Sequence, residues 1–322
     1  MRCRKNNKSK KISVLLVTFN HEKHIRQALE SLFGQEYDGL IELVVADDAS
    51  TDSTVQIVTE YLHKDSRFEF VFLDNSENLG ITKNYKRGFT ACSAKYVAVL
   101  EGDDYWISPH KLQLQSDFLD VHWECDLCAA NYFIFNEEKH EFHLRLLPDV
   151  CGFQLFSAQD LIADNVIGNF STCMYRKSGL EGLPQSLFEV KSYDWIVNIC
   201  MAKDRLIGFL KQPLSVYRLH SSGTWTGLSE MDKLKEQLEI LPAYDRLTNM
   251  VFHNSFNALS KKLKRRITAS SERSELILNK RRKIDYLPPF IVMALRLLTP
   301  PVLKDLVGRI IRKIKKVSYD KR

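Results

Sequence analysis

The stretch Tyr96-Val-Ala-Val-Leu-Glu-Gly-Asp-Asp-Tyr-Trp106 decides the fold prediction, because an apolar run ends abruptly in carboxylates. Tyr96 to Leu100 are apolar or β-branched and predict a short buried strand. Glu101, Asp103 and Asp104 follow its carboxyl end, and this is the edge at which open α/β sheets bind ligands. We therefore expect a ligand site directly after this strand.

The paired carboxylates favour a hard divalent cation. Asp103 and Asp104 repel each other, and Mg²⁺ or Mn²⁺ would relieve that repulsion through the oxygen ligands that these ions prefer. A cation at this place would bridge to phosphate oxygens, which suggests a nucleotide. From these residues alone, the alternative is a strand followed by a solvated acidic turn.

Apolar runs alternate with helical patterns on both sides of this strand. We predict earlier strands at Ile12–Phe19, Leu40–Ala46 and Phe68–Leu73, and helices with inward faces at Ile25–Phe33, Val55–Leu62 and Thr82–Cys92. Later elements are a helix from Pro109, a strand at Cys125–Phe135, a loop over residues 136–156, a strand at Phe170–Tyr175, a helix at Ser192–Ala202, and strands at Leu206–Leu210 and Leu214–Tyr217. The alternation predicts an α/β fold with a mostly parallel sheet, in which polar strand ends meet at one edge.

Composition and the absence of a signal-peptide pattern predict a cytoplasmic protein. The chain has 322 residues, of which 44% are hydrophobic, and no span is long and apolar enough to cross a bilayer. Ile12–Phe19 follows a basic leader but lacks a small-residue cleavage site, so we interpret it as a strand and not as a signal peptide. Cys125 and Cys128 form a lone Cys-x-x-Cys, for which core thiols are favoured over a redox or zinc role.

Charge divides the chain into two parts. Residues 261–322 hold 19 Lys or Arg and 5 Asp or Glu, a net charge of +14, while residues 1–260 hold 27 and 35, a net charge of −8. Leu287–Leu303 is apolar but interrupted by prolines, and it lies between basic clusters. This pattern suits an interfacial element on anionic lipid. The alternatives are a basic helical tail on the core domain or contact with RNA, and we expect no nucleic-acid partner because no nucleic-acid module is visible.

Six ordered segments give the chain a resemblance to glycosyltransferase family 2, the sugar-transfer enzymes of GT-A fold. The resembling segments are Val17-Thr18-Phe19-Asn20, Asp47-Asp48-Ala49-Ser50-Thr51-Asp52, Asn78-Leu79-Gly80, Glu101-Gly102-Asp103-Asp104, Tyr193-Asp194 and Tyr217-Arg218-Leu219-His220. The resemblance covers about residues 12–225. Three departures, Glu101, Tyr193 and the pair Tyr85-Lys86, stand where members often carry other residues.

The resemblance implies a role for each matching position. Val17, mainly through its backbone, and Phe19 would lie against the nucleotide base, which Asp48 would hydrogen-bond. Asp103 would bind the ribose, Lys83 would approach the diphosphate, and Asp104 and His220 would hold the metal. Asp194 would be the catalytic base. Without the resemblance, Asp194 could be a first-turn acid favoured by the helix dipole, and His220 a loop histidine with no ligand.

We expect three regions and one activity. Residues 1–11 are a basic leader, 12–229 the catalytic domain, and 230–322 a basic, mostly helical region at the inner face of the cell membrane. The activity is inverting, metal-dependent transfer from a nucleotide-sugar, with a UDP-sugar expected, to a glycan or lipid-linked hydroxyl in bacterial surface polysaccharide synthesis. The alternatives are a sugar nucleotidyltransferase, although no glycine-rich loop follows the first strand, and an inactive membrane-associated scaffold.

Overall fold

The computed structural model describes residues 11–145, 151–190, 194–221 and 228–285, and side chains as far as residue 272. The chain forms two compact units, Met1–Lys264 and Arg265–Arg322. Among the described residues, no helix is both long and apolar enough to cross a membrane. The predicted features at residues 1–10, at Ser192 and Tyr193, and at Leu287–Leu303 lie outside the described residues.

Four parallel strands form the half of the sheet that the sequence predicts most directly. They are β1 (Lys11–Thr18), β2 (Leu40–Asp47), β3 (Phe68–Phe72) and β4 (Tyr96–Glu101), and they lie in the order β3-β2-β1-β4. β1 and β4 are buried along nearly their whole length, as expected for strands covered on both faces. The predicted strands are confirmed to within one residue at each end.

Helices cover this half of the sheet where the apolar stripes predict them. They are α1 (Ile25–Phe33), α2 (Thr54–Thr59), α3 (Ile81–Ala91) and α4 (Lys111–Val121). α2 differs from its prediction. Its inward face carries Thr54 and Val58, and the chain beyond it buries Tyr61, whereas Val55 and Leu62 are only half-buried. The helix ends at Thr59, one turn earlier than the pattern suggests.

The second half of the sheet is mixed and departs more from the sequence prediction. Its strands are β5 (Tyr105–Trp106), β6 (Cys125–Asn136), β7 (Glu141–Leu144), β8 (Phe153–Phe156), β9 (Met174–Arg176) and β10 (Leu206–Leu219). β9 lies antiparallel between β4 and β6, and β10 runs parallel to β6. The predicted loop at 136–156 therefore contains two strands, β7 and β8, which are edge strands with largely exposed side chains.

Two further predictions in this half are corrected. Residues Phe170–Thr172 form a 3-10 turn before β9, because the Asn169 side chain accepts a hydrogen bond from the Thr172 N–H. The two strands predicted around Lys211 are a single strand, β10, whose halves both pair with β6 across bulges near Pro213. Cys125 and Cys128 are buried free thiols, which confirms their interpretation as core residues.

The remaining helices of the described chain are α5 (Ala158–Ala163), α6 (Lys177–Glu181), α7 (Asp194–Met201), α8 (Glu230–Leu247) and α9 (His253–Asp285). Ser229 caps α8 by accepting a hydrogen bond from the Asp232 N–H. α8 packs against α7 through the Tyr244 and Trp195 rings, whose centroids are 5.8 Å apart. Leu263, near the start of α9, is also buried, so the first unit extends past residue 229, where we expected the catalytic domain to end.

Gly88 tests the packing of α3 against the sheet. A Cβ at this position would lie 2.5 Å from a methyl carbon of Leu15, which is a fully buried residue of β1. We expect Gly88→Ala to lower the free energy of unfolding by about 1–3 kcal/mol, the usual cost of overpacking. Urea denaturation measures this change. Gly182→Ala is the matched control, because its Cβ would meet nothing closer than 3.4 Å, and an equal loss in both variants would contradict the packing argument.

Candidate active site

The carboxylate turn after β4 is partly buried, and Asp104 is its most enclosed carboxylate. Asp104 is only 1% exposed, so its carboxylate does not lie in a solvated acidic turn, the alternative that the sequence left open. Its Oδ1 accepts a hydrogen bond from the backbone N–H of Arg218, at 2.9 Å. Its Oδ2 is buried and has no hydrogen-bond partner among the described residues. Burial, together with the charges of Asp103 and Glu101, raises the pKa of Asp104 well above its usual value.

The end of β10 holds this turn in place from a distant part of the sequence. The Arg218 Nε–H donates to the Asp103 backbone carbonyl at 2.9 Å, and its guanidinium lies between the rings of Tyr105 and Phe135. Two residues later, His220 Nε2 lies 3.0 Å from Asp103 Oδ2. From the sequence, Arg218 was identified only as a member of the segment Tyr217-Arg218-Leu219-His220. A signal for it was present, since an arginine inside a short polar motif suggests a positioned group.

Two histidines act on the Asp103 carboxylate. His21, which follows β1, places Nε2 3.8 Å from Asp103 Oδ2, on the same oxygen that His220 contacts. Burial favours the neutral acid, but the His220 hydrogen bond and the nearby His21 prevail and lower the pKa of Asp103. No role for His21 was predicted from the sequence. Its position directly after the first strand was the available signal.

The residues of this turn fit a divalent cation. Asp104 offers one buried carboxylate oxygen without a partner, and His220 lies beside the same turn. In the described part of the chain, no group of three or more His, Cys, Asp or Glu side chains is arranged to hold an ion by itself. Mg²⁺ commonly binds one or two carboxylates and takes further ligands from substrate phosphates, so a site completed by a nucleotide is consistent with this arrangement.

The ends of β1 and β2 provide the second part of the site. The Val17 carbonyl accepts a hydrogen bond from the Gly102 N–H at 2.8 Å, which joins this part to the carboxylate turn. Phe19 is 43% exposed beyond the end of β1. Asp48 is buried, and its two oxygens accept the N–H groups of Leu79 and Gly80 at 2.8 and 3.0 Å. A carboxylate has about four acceptor positions, so Asp48 keeps capacity for a ligand.

Lys83 lies near this second part of the site. It is exposed in the first turn of α3, within the helix that the sequence predicts at Thr82–Cys92. Gly80 immediately precedes the helix, and its φ of +79° is a conformation that glycine adopts readily. The helix N-terminus and the Lys83 charge both favour an anion at this place.

Asp194 is the first residue of α7, and its carboxyl is held by its own helix. Oδ1 accepts the Trp195 N–H at 2.8 Å, and Oδ2 is buried without a hydrogen-bond partner in the described chain. Burial raises the pKa of Asp194 to about 6, while the Trp195 N–H, Arg145 and Asn165 act to lower it. A carboxylate with a free oxygen and a pKa near neutrality is suited to accept a proton.

The four carboxylates all act on the hydroxyl of Tyr217, in β10. Burial raises the pKa of its hydroxyl, and the charges of Asp104, Glu101, Asp103 and Asp194 raise it further. Glu101 accepts a hydrogen bond from the Tyr85 hydroxyl at 2.8 Å, and burial with the Asp103 charge raises the pKa of Glu101 to about 8. The ends of β1, β2 and β4 thus place the predicted nucleotide and metal positions at one edge of the sheet, while the predicted base, Asp194, comes from the start of α7.

The comparisons with known proteins agree with this arrangement. The family model described as glycosyl transferase family 2 matches residues 13–182. An uncharacterized protein of Mycobacterium tuberculosis is 31% identical over 219 residues, which are 66% of this chain and 60% of that protein. The glycosyltransferase GlyA of Streptococcus pneumoniae is 31% identical over 139 residues, 43% of this chain and 19% of that protein. The chain thus spans 60% of the length of the mycobacterial relative.

Solved structures share the fold at low sequence identity. TarS of S. aureus in complex with UDP-GlcNAc has a TM-score of 0.56 at 22% identity, covering 78% of this chain and 74% of that chain. The mannosyltransferase PcManGT of Pyrobaculum calidifontis, in complex with GDP-Man and Mn²⁺, has a TM-score of 0.53 at 14% identity, covering 97% and 88%. The chain therefore belongs to glycosyl transferase family 2, and its mixed, mostly parallel sheet flanked by helices has the GT-A fold.

Proposed function

We propose that the protein is an inverting, metal-dependent glycosyltransferase that moves a sugar from a nucleotide-sugar to an acceptor hydroxyl. The observation that carries the proposal is one sheet edge with two different carboxylate environments. Asp103 and Asp104 lie at the end of β4, clamped by Arg218 and His220. Asp194 belongs to α7 but interacts electrostatically with the same site. Its Oδ2 has no hydrogen-bond partner among the described residues and can accept a proton.

The donor side binds the nucleotide and the ion. Val17, Phe19 and Asp48 are proposed to bind the base, Asp103 the ribose, and Lys83 the diphosphate. Asp104, with His220, would hold Mg²⁺ or Mn²⁺, which as a Lewis acid would neutralise the charge of the leaving diphosphate. In the structure His220 Nε2 is hydrogen-bonded to Asp103, so part of its role is to orient that carboxylate.

The acceptor side supplies the base. The Asp194 carboxylate would take the proton of the acceptor hydroxyl while that oxygen attacks the anomeric carbon, and the bond to the diphosphate breaks. Direct displacement by a base-activated hydroxyl inverts the anomeric centre. Holding both substrates in line removes much of the entropic part of the barrier.

The family and its structural neighbours support the proposed donor class. Among the similar structures, TarS is in complex with UDP-GlcNAc, and the mannosyltransferase is in complex with GDP-Man and Mn²⁺. These complexes support a nucleotide-sugar donor with a divalent ion, and we propose a UDP-sugar for this chain. The proposed acceptor is a glycan or lipid-linked hydroxyl, in the synthesis of a bacterial surface polysaccharide.

A ligand panel tests the proposal. The melting temperature of the full chain is measured with UDP-, GDP-, dTDP- and CMP-sugars, each with and without Mn²⁺. A ligand that binds only the folded state at 100 times its Kd adds about 2.7 kcal/mol of stability. We expect one nucleotide class to raise the melting temperature, and only when Mn²⁺ is present. A panel in which no nucleotide-sugar stabilises the protein would overturn the proposal.

The basic C-terminal residues are proposed to bind an anionic membrane surface at the inner face of the cell membrane. Residues 265–322 carry 16 Lys or Arg against 5 Asp or Glu. Each basic residue near anionic lipid contributes about 1 kcal/mol, and salt screens that attraction. The charge excess and its position after Lys264, the end of the first unit, support this proposal.

Removing residues 265–322 tests this proposal. The cut follows Lys264 because Leu263 is buried in the first unit, so an earlier cut would remove part of the core. We expect the full chain to sediment with phosphatidylserine vesicles at low salt, and the shortened chain to remain in the supernatant. Phosphatidylcholine vesicles are the control for uncharged lipid. Equal sedimentation of both chains would show that these residues are not the anchor.

A further inference from the structure

The guanidinium group of Arg145, directly after β7, is enclosed by Tyr132, Asn165 and Gly168, which together form the binding position that we call the Arg145 seat. Nη1 donates to the Tyr132 hydroxyl, and Nη2 donates to the Asn165 carbonyl at 2.6 Å. Tyr132 is almost fully buried and therefore cannot move freely. The two anchors come from β6 and from the segment after α5, so the guanidinium joins parts of the chain that are distant in sequence.

Gly168 makes this seat possible. Its φ is +84°, and a Cβ built on it would lie 1.8 Å from Arg145 Nη1 and 2.1 Å from the Tyr132 oxygen. Any side chain at this position would displace the guanidinium, the Tyr132 hydroxyl, or both. The backbone of Gly168 is fixed in turn by a hydrogen bond from its N–H to Asn165 Oδ1, at 3.3 Å. A glycine in this conformation, beneath an arginine, indicates a position at which close approach of the guanidinium is required.

Asn165 connects this seat to the proposed base, because its carbonyl accepts a hydrogen bond from Arg145 Nη2 and its side chain hydrogen-bonds the Asp194 carboxylate. The Trp195 indole, next to Asp194, donates to the Leu161 carbonyl of α5 at 2.7 Å, so α7 is tied to the helix that leads into the Arg145 seat. The ionisable groups whose charges interact with Asp194 are Arg145, Tyr132, Glu101, Tyr217, Cys173 and Tyr175. Arg145 is the cation in this set, and its charge opposes the effect of burial on the pKa of Asp194.

We propose that Arg145 is a positioning residue for sugar transfer, whose fixed guanidinium keeps the Asp194 carboxyl in its proton-accepting form. This inference rests on the proposed function for its catalytic consequence. Physically, a buried carboxyl without a nearby cation favours the neutral acid, and a neutral acid cannot take the acceptor proton. The seat made by Gly168, Tyr132 and Asn165 maintains the cation near Asp194 without the need for a mobile side chain.

The first test needs neither donor nor acceptor. The Asp194 carboxyl is titrated by ¹³C NMR in protein labelled at aspartate, with Asp194→Asn used to assign its signal. We expect Arg145→Met to raise the titration midpoint by about one pH unit, the lower end of the effect of a nearby opposite charge. Arg145→Lys should remain near the wild-type midpoint. Gly168→Ala should shift the midpoint upward, as Arg145→Met does, because it displaces the guanidinium.

The matched control is Arg205→Met. Arg205 is exposed and pairs with Asp126, so this variant loses the same charge and the same atoms away from Asp194. Its midpoint should match the wild type. If Arg145→Met does not fold, as judged by circular dichroism, Arg145→Gln removes the charge while keeping a hydrogen-bond donor. An unchanged midpoint in the folded neutral variant would overturn the proposal.

The second test is the pH profile of transfer. In Arg145→Met the acid limb should move to higher pH by the same amount as the NMR midpoint, and the rate above the limb should return to within a few-fold of wild type. If the rate instead falls by the same factor at every pH, with no shift of the acid limb, the proposal is overturned. That result would indicate a purely structural or acceptor-binding role for Arg145. Failure of the proposed function is a different result, namely normal transfer by Asp194→Asn, and the NMR titration still decides the effect of Arg145.

Discussion

Asp194→Asn is expected to abolish sugar transfer while donor binding remains. The asparagine keeps the size of the side chain and can still accept the Trp195 N–H, so α7 should begin in the same way. It cannot accept a proton, and loss of a positioned general base lowers rates by a factor on the order of 10²–10⁴. Initial rates give the loss in kcat, and calorimetric titration with donor and Mn²⁺ gives the Kd.

The pH dependence of the wild type provides a linked measurement. Burial raises the pKa of Asp194 to about 6, so the base is ionised above that pH and the rate should fall as the pH decreases through about 6. Asp38→Asn is the control, because Asp38 is exposed in the loop before β2. If donor affinity decreases together with the rate in Asp194→Asn, Asp194 belongs to the donor site or to the core instead.

Asp104→Asn is expected to lose metal-dependent donor binding but to gain stability in the absence of metal. The asparagine oxygen can still accept the Arg218 N–H, so the turn should remain folded. It offers no negative charge to Mg²⁺ or Mn²⁺. In the wild type, donor with Mn²⁺ at 100 times its Kd adds about 2.7 kcal/mol, and this gain should largely disappear in the variant.

The gain in stability follows from the sign of the pKa shift. The pKa of Asp104 is raised by burial above its value in the unfolded chain, so the folded state binds more protons than the unfolded state at pH values above about 4. Wild-type stability therefore decreases as the pH rises through this window. Asparagine does not ionise, so the metal-free variant should be more stable than the wild type at neutral pH.

Urea denaturation at several pH values, with and without Mn²⁺ and nucleotide, measures both effects. Asp117→Asn, at an exposed position of α4, is the matched control. An unchanged donor Kd in Asp104→Asn would contradict the metal assignment. A variant that is less stable than the metal-free wild type at neutral pH would show that the Asp104 carboxylate is required for folding, contrary to its unpaired Oδ2.

The sequence by itself determined the elements with a strong internal pattern. Buried strands such as β1 and β4 are continuous apolar runs, and α1 and α4 have regular inward faces, so their bounds and order could be predicted locally. The ends of β1, β2 and β4 carry the polar residues of the site, and parallel strands place such ends at one edge. The α/β fold and the carboxylate edge follow from these features, whereas the family was indicated by the resemblance of six ordered sequence segments.

Only the tertiary structure decided the surroundings of each carboxylate. Asp104 is buried because β10 places Arg218 against it from 114 positions further along the chain, and no local pattern records that contact. β7 and β8 were missed because edge strands with exposed side chains have no alternation, and their formation depends on pairing with β6 and β10. The close approach of Arg145 to Gly168 likewise depends on the folded structure, because the two residues are distant in the sequence. Periodicity in the sequence indicates which face of a single element is buried. Contacts between distant segments determine that Asp103 is hydrogen-bonded to His220, that Asp104 keeps one oxygen without a partner among the described residues, and that Asp194 interacts with the Arg145 charge.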